Sequence, residues 1–342
     1  MMDVQIFELG SAPEQDLRDA FELHRTLQLE MSPGHKSLSY EATIASWKSI
    51  VDYCQTRHWV ARVDNRIVGI AKTEIEIRED NQDQAWLDVN VLPEFRRRGI
   101  GAALARPALV HAASCSRTLI GAEAGQDHPG EEFLTFLGLT KRLLWRVSRV
   151  HMDAIPPALM HKWISAASAI AELYELVRWV GPCPDEYVGE LVLVTTLMNT
   201  APREGLAMED EVWSPDMIRA ADARLLAADI ERWTVAACHK ATQKFVGFTE
   251  MNVYRLDPSH AEQENTVVHP GHRNKGIGRW IKAVMIETLR AQRPMIDTID
   301  TGNAAGNQAM LSINEQMGFR TRCAIADWQG EVSTALHALE NR

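Results

Sequence analysis

Val91-Leu92-Pro93-Glu94-Phe95-Arg96-Arg97-Arg98-Gly99-Ile100-Gly101 closes a β-like run and opens a helical pattern. Val268-His269-Pro270-Gly271-His272-Arg273-Asn274-Lys275-Gly276-Ile277-Gly278 does the same, 177 residues later. One glycine turn of this kind is a weak signal. Two in the same context point to a duplicated fold that handles a nucleotide or phosphate, and a repeat is read before a fold.

The flanking residues repeat as well. Trp59-Val60-Ala61 precedes Ile67-Val68-Gly69-Ile70-Ala71-Lys72-Thr73-Glu74, and Trp233-Thr234-Val235-Ala236 precedes Phe245-Val246-Gly247-Phe248-Thr249-Glu250. Gly69 and Gly99 lie 30 residues apart, Gly247 and Gly276 lie 29 apart, and Glu74 is matched to Glu250. Phe136-Leu137-Gly138-Leu139 is answered by Gln316-Met317-Gly318-Phe319. The 342 residues divide into an N-terminal domain 1–153, a linker 154–170 with Pro156-Pro157 near its start, and a C-terminal domain 171–342. Both domains have an ordinary size.

Periodicity supplies the elements. In the first half it predicts strands over 4–9, 59–64, 66–77, 86–91, 118–122 and 143–150, with helices over 16–30, 40–53, 99–116 and 131–136. In the second half it predicts strands over 174–179, 233–237, 245–254, 265–268, 295–300 and 321–327, with helices over 190–199, 216–229, 276–291 and 307–317. This order fits two α/β units of mixed sheet and α+β character.

Composition narrows the function. A formal net charge of -10 argues against a non-specific binder of nucleic acid or anionic membrane. No apolar run approaches the roughly 18 residues of a membrane span, and Met1-Met2-Asp3-Val4-Gln5 lacks the regions of a signal peptide. Cys54, Cys115, Cys183, Cys238 and Cys323 show no CxxC spacing and are odd in number. They read as reduced thiols of a cytoplasmic protein. His269 and His272 have no companion ligands at metal spacing, so no metal is expected. The ten tryptophans read as core.

At a strand-to-helix turn, successive backbone N–H groups converge on one small volume and can hold phosphate oxygens, aided by the helix N-terminus. Glycine lets the phosphate approach without a Cβ in the way. Arg96, Arg97, Arg98, Arg273 and Lys275 add positive charge; the bland alternative is a pair of tight turns whose glycines serve packing. A Rossmann fingerprint would follow the first strand and run Gly-x-Gly-x-x-Gly. Here the turns fall late, and Gly101 leads into Ala102-Ala103-Leu104. A Walker loop needs Gly-Lys-Ser/Thr, which neither turn has.

On these residues the chain resembles the GNAT superfamily of acyl-coenzyme A-dependent N-acyltransferases, in a tandem two-domain form like that of mycothiol synthase. Asn303-Ala304-Ala305-Gly306-Asn307, Met310, Asn314 and Met317-Gly318-Phe319 look like that superfamily's closing motif. The resemblance implies two GNAT folds and acetyl-CoA as acyl donor. It places one pyrophosphate site at Arg97, Arg98, Gly99 and Gly101, with Val91, Arg96 and Ala102 around it. It places another at Asn274, Lys275, Gly276 and Gly278, with Val268, Arg273, Ile277, Arg279, Asn303 and Asn307. The acceptor it implies is the primary amine of a small molecule, attacking directly in a ternary complex. Candidates are an aminoglycoside-like amine, the amine of a cysteinyl conjugate, or an amino acid.

The two halves differ at the expected reaction centre. Four residues before Gly318, where the superfamily often has a tyrosine that protonates the leaving thiolate, stands Asn314. An amide donates hydrogen bonds but is no proton donor at neutral pH. The first half has Leu134 there and Asp127 in the place of Asn307, so catalysis is expected in the second domain. Glu250 and Glu264 are the candidate general bases, with His269, His272, Asp88 and Asn90 as further polar neighbours. Each carboxylate has the alternative of a solvated strand edge. Two other readings stand beside the small-molecule acetyltransferase: a non-catalytic coenzyme A-binding sensor or scaffold, and a protein N-terminal or lysine acetyltransferase. A duplicated chain permits either a monomer or a homodimer.

Overall fold

The computed structural model describes residues 3–31, 39–48 and 54–341. In chain order its main elements are β1 (Val4–Glu8), α1 (Glu14–Met31), α2 (Tyr40–Lys48), β2 (Cys54–Val63), β3 (Arg66–Glu76), β4 (Gln84–Val91), α3 (Ile100–Ser114), β5 (Leu119–Gly125), α4 (Pro129–Phe136) and β6 (Thr140–His151). There follow α5 (Pro157–Ala166), β7 (Tyr174–Val180), α6 (Val188–Thr195), α7 (Pro215–Ala227), β8 (Ile230–His239), β9 (Lys244–Tyr254), β10 (Asp257–Val268), α8 (Ile277–Gln292), β11 (Thr298–Ala304), α9 (Gln308–Met317), β12 (Arg320–Glu331) and α10 (Val332–Glu340). Short 3-10 turns precede both glycine turns, at Pro93–Phe95 and Pro270–His272.

The chain forms two compact units. Unit 1 comprises residues 1–144, 205–209 and 325–342; unit 2 comprises 145–204 and 210–324. Within unit 1 the strand order is β1-β2-β3-β4-β5-β12, and only β4 and β5 run parallel. Within unit 2 the order is β7-β8-β9-β10-β11-β6, again with a single parallel pair, β10 and β11. The sixth strand of each unit comes from the other half of the sequence. Trp145–His151 of β6 pairs with β11, and Ile325–Glu331 of β12 pairs with β5.

Several expectations are corrected by this arrangement. Residues 325–342 belong with unit 1 and not with the second half that encodes them. Residues 154–170, read as a linker, hold helix α5: Pro157 takes its first position, where a missing N–H costs nothing, and Met160 and Trp163 are buried. β10 begins eight residues before the expected Asn265, because its polar stretch meets polar partners on β9. α10 was not expected, although Val332, Ala335 and Leu339 give it a buried face. Of the expected helix over 40–53, residues 49–53 lie outside the described residues.

The core of unit 1 lies between its sheet and α3, with Leu104, Ala105, Ala108 and Leu109 buried. In unit 2, α8 fills the same role with Ile277, Ile281, Met285, Ile286 and Leu289. One residue breaks the pattern. Lys282, six positions after Gly276, is 1% exposed, where unit 1 has Ala105 six positions after Gly99. Burial brings its ammonium down to a pKa of about 7.

Candidate active sites

The two glycine turns share one backbone geometry. Arg97 and Asn274 have φ of 62° and 63°, and Gly99 and Gly276 have φ of 85° and 84°. Left-handed residues interleaved with right-handed ones turn consecutive N–H groups inward and form an anion nest at the start of α3 and of α8. A Cβ built on Gly99 or on Gly276 meets nothing within 4 Å, so both nests open onto free space. That fits the pyrophosphate of coenzyme A. In unit 1 the nest lines a cleft of about 500 Å³ with Val89, Asn90, Gly101, His128 and Phe133.

The basic side chains at these turns do different work from that expected of simple phosphate ligands. Arg96 donates through Nε to the carbonyl of Val91 at 2.8 Å and grips Glu30 with both terminal nitrogens. Arg273 donates to the carbonyl of Val268 at 2.9 Å and to the Thr200 hydroxyl at 2.7 Å. Both therefore brace the turn against the end of the preceding strand. Arg97 pairs with Glu132 at 2.7 Å, and Arg98 lies over the Phe95 ring. Lys275 donates to the Tyr174 hydroxyl, which also bonds His272. His269 accepts from the Gly271 amide at 3.1 Å. These contacts give the two histidines structural employment at the turn.

Just inside α3 and α8, Ala102 follows Gly101, while Ile277, 1% exposed, anchors the first turn of α8 in the core. Arg279 lies over the ring of Trp163. Asn307 caps α9, its side chain accepting from the Met310 amide at 3.2 Å. Asn314, 3% exposed, donates to the side chain of Asn303 at 2.7 Å. Its own Oδ1 is buried and has no hydrogen-bond partner among the described residues. Asn314 thus keeps one free acceptor, and one of its two amide hydrogens is engaged by Asn303. Leu134 is simply buried, and Asp127 is exposed with φ of 61°.

The reaction end of unit 2 lies where its two parallel strands part. β10 and β11 stay paired only as far as Gln263 and Thr301, and β10 bulges between Gln263 and Thr266. Glu264 sits on that bulge and accepts from Asn252 at 2.8 Å. Burial, with the neighbouring charges of Glu262 and Glu250, pushes its carboxyl up to about 7. Glu250 is 4% exposed, lies 3.6 Å from Arg232 and accepts from Asn265 at 3.3 Å. Burial raises its pKa against the pull of Arg232. The two candidate carboxylates thus meet in one polar cluster. Arg232 and Asn252, their partners, were not singled out from sequence, although Glu250, Asn252 and Tyr254 alternate along β9 as one face must.

Register also corrects the internal match. Gly69 pairs with Val91, and Gly247 pairs with Val268. Three residues beyond those glycines stand Lys72 and Glu250. Lys72, not Glu74, is the counterpart of Glu250. It bonds Glu74 at 3.0 Å and stands directly opposite Asp88.

Comparison with known proteins agrees with this architecture. An acetyltransferase (GNAT) domain model matches residues 54–131, and an acetyltransferase (GNAT) family model matches residues 196–319. Both halves of the chain belong to the GNAT family, and by class the protein is an acyl-CoA-dependent N-acyltransferase. Its tandem form resembles a solved tandem GNAT protein from the clavulanic acid biosynthesis pathway, with a TM-score of 0.76 at 22% identity over 96% of this chain and 99% of that one. A GCN5-related N-acetyltransferase from Sphaerobacter thermophilus matches with a TM-score of 0.64 at 12% identity, covering 96% of each chain. A putative acetyltransferase from Pyrococcus horikoshii gives 0.56 at 14%, covering 96% of this chain and 89% of that one. These likenesses are of fold. No curated protein sequence matches the chain.

Proposed function

We propose that unit 2 moves an acetyl group from acetyl-CoA to the primary amine of a small molecule by direct attack in a ternary complex. Glu264 carries this reading. It stands on the bulge at the parting of β10 and β11 with a pKa of about 7, where a general base works best at neutral pH. The nest at Asn274 to Gly278 would hold the pyrophosphate of the donor, whose thioester supplies the activated acyl group. Glu264 accepts the proton of the substrate ammonium and leaves a neutral amine facing the carbonyl. Arg232 and Asn265 keep Glu250 fixed beside it, and Asn314 fixes Asn303 on β11. The motif resemblance to mycothiol synthase points to an acceptor such as the amine of a cysteinyl conjugate, and the free thiols suit a cytoplasmic setting.

Steady-state kinetics of Glu264→Gln test this. The variant should bind acetyl-CoA normally while kcat falls by about 10²–10³-fold. For the wild type, kcat/KM should rise as pH increases through about 7, because the active form is the carboxylate. That limb should vanish in the variant. A variant that keeps kcat within tenfold and the same pH profile removes Glu264 from the mechanism.

A further inference from the structure

We infer that the glycine turn of unit 2 binds its donor together with a proton, taken up by His272, while the turn of unit 1 binds without one. The inference rests on the reading that unit 2 holds acetyl-CoA in its nest, and it adds a regulation of that site. Register lines up the corresponding stations. His239 lies two residues beyond the partner of Gly247, and Val63 lies two beyond the partner of Gly69. Tyr174 on β7 pairs directly with His239, as Val4 on β1 pairs with Val63. His269, His272 and Lys275 precede Gly276 by seven, four and one positions, and Leu92, Phe95 and Arg98 precede Gly99 by the same counts. A phenol and three imidazoles thus stand in unit 2 where unit 1 has two valines, a leucine and a phenylalanine.

The unit 2 residues touch one another. Between ring centroids, His272 lies 5.4 Å from His269 and 5.6 Å from both His239 and Tyr174. Lys275 donates to the Tyr174 oxygen at 3.2 Å, and that oxygen lies 2.7 Å from Nδ1 of His272. An ammonium group accepts nothing, so the phenolic hydrogen points at Nδ1, which accepts it. Tyr174 is 2% exposed, so little water competes for these bonds. The chain from Lys275 through Tyr174 to His272 therefore holds for a neutral imidazole only. A proton on Nδ1 turns that acceptor into a donor. The phenolic oxygen then faces two donors, both cationic, and its own hydrogen has no acceptor between them. Lys275, the exposed member of the chain, is the one that can leave.

Charge couples that proton to the donor. The groups acting on His272 are Lys275 from the turn, His269 from the start of the 3-10 segment before it, and His239 from β8. Each of them lowers its pKa, burial lowers it most, and no carboxylate is among them. In the free protein His272 is therefore neutral at pH 7. A diphosphate in the nest reverses the balance. Its charge draws the Lys275 ammonium out of the chain and stabilises an imidazolium beside it. The pKa of His272 is thus higher in the complex than in the free protein. By reciprocity a proton on His272 tightens the donor by the same factor. Affinity is greatest below the pKa of the free protein and falls as pH rises through that of the complex. Unit 1 has no such group: Arg98 lies over the Phe95 ring and keeps its charge throughout. The two turns share a backbone, and pH grades only the second.

Calorimetric titration of the full chain with acetyl-CoA at pH 6, in MES and in bis-tris, counts the protons taken up, because the two buffers differ in heat of ionisation. Wild type should take up about 0.3–0.5 proton more per donor bound than His272→Phe, which imports the residue of unit 1. Titration of Glu264 and of the donor's own phosphate occurs in both proteins and cancels in that difference. From pH 8 to pH 6 the wild type should gain about threefold in affinity relative to the variant. Tyr174→Phe unties Lys275 at every pH. Its affinity at pH 8 should rise by about threefold, and its pH dependence should flatten to that of His272→Phe. A purely structural Tyr174 predicts the opposite, a weaker donor at pH 8. If acetyl-CoA binds wild type and His272→Phe with equal proton uptake, this inference fails and the reading of unit 2 stands. Tyr174→Phe with the wild-type pH dependence also overturns it, and decides the matter where His272→Phe does not fold. If acetyl-CoA does not bind wild type at any pH, the inference and the reading fail together.

Discussion

The two units agree closely at their glycine turns and disagree a few residues away. Backbone dihedrals at Arg97 and Asn274, and at Gly99 and Gly276, differ by 1°. Arg96 and Arg273 even make the same bond to the end of the preceding strand. At the parting strands the side chains invert: Lys72 faces Asp88 in unit 1, whereas Glu250 holds Asn265 and Arg232 in unit 2. Main-chain geometry at the two turns is fixed because only a few dihedrals form an anion nest. The facing side chains at the parting strands obey no such rule, and there the two units differ.

Exchanging the inverted residues should give the largest effects. Glu250→Lys would bury a second cation beside Arg232 and should cost about 3–5 kcal/mol in chemical denaturation. Lys72→Glu, at a side chain 35% exposed, should cost no more than about 1 kcal/mol. Equal costs would show that the two stations do not differ as their burial says.

Next come the turns. Gly276→Glu puts a carboxylate into the nest and should weaken acetyl-CoA by about 100-fold, near 2.7 kcal/mol, by calorimetry. Gly99→Glu tests the same in unit 1. Loss only in the Gly276 variant places the working donor site in unit 2; equal loss gives each unit one. Alanine at either glycine should cost only the strain of positive φ, about 1 kcal/mol, since its Cβ meets no atom within 4 Å.

A smaller effect should come from the helix station where Lys282 replaces the alanine of unit 1. Its pKa of about 7 in the folded chain lies below the ordinary 10.5. Stability from this group is therefore complete above pH 10.5 and is lost as pH falls toward about 7. Lys282→Met should stabilise by about 1–3 kcal/mol at pH 7, with the gain in Tm fading as pH approaches 10. A gain that does not depend on pH would mean that packing, and not charge, is relieved. Least of all, Asn314→Leu, which imports the residue of unit 1, should change stability by about 1 kcal/mol or less and kcat by less than tenfold. A 100-fold fall in kcat would place Asn314 against the reacting atoms.

What could be read in the sequence was what backbone sterics force into view. Gly99 and Gly276 need positive φ, and so do Asp64 and Asn65, at 46° and 63°, in the hairpin between β2 and β3. Glu250 and Glu264 stood out as carboxylates in strands. The polar stretch of β10 stayed hidden because Glu262, Gln263 and Glu264 look like loop residues until Tyr254 and Asn252 are placed beside Glu262 and Glu264. Matching Glu74 to Glu250 failed by two positions, which keeps a side chain on the same face and so leaves no hydrophobic signature. The pairing of β5 with β12 in unit 1 was out of reach for a different reason. Asp327 meets Glu123 across 204 positions of chain, and no local pattern encodes that neighbour.

The crossed final strands carry a consequence for anyone dividing this molecule. A gene cut near residue 153 yields two polypeptides that match the sequence repeat, yet neither encodes a finished sheet. The first fragment would lack β12 and leave one edge of β5 bare; the second would lack β6 and leave the outer edge of β11 bare. Bare edges recruit strands from other molecules. Severed halves are therefore expected to aggregate when made alone and to recover solubility when co-expressed, each supplying the other's missing edge.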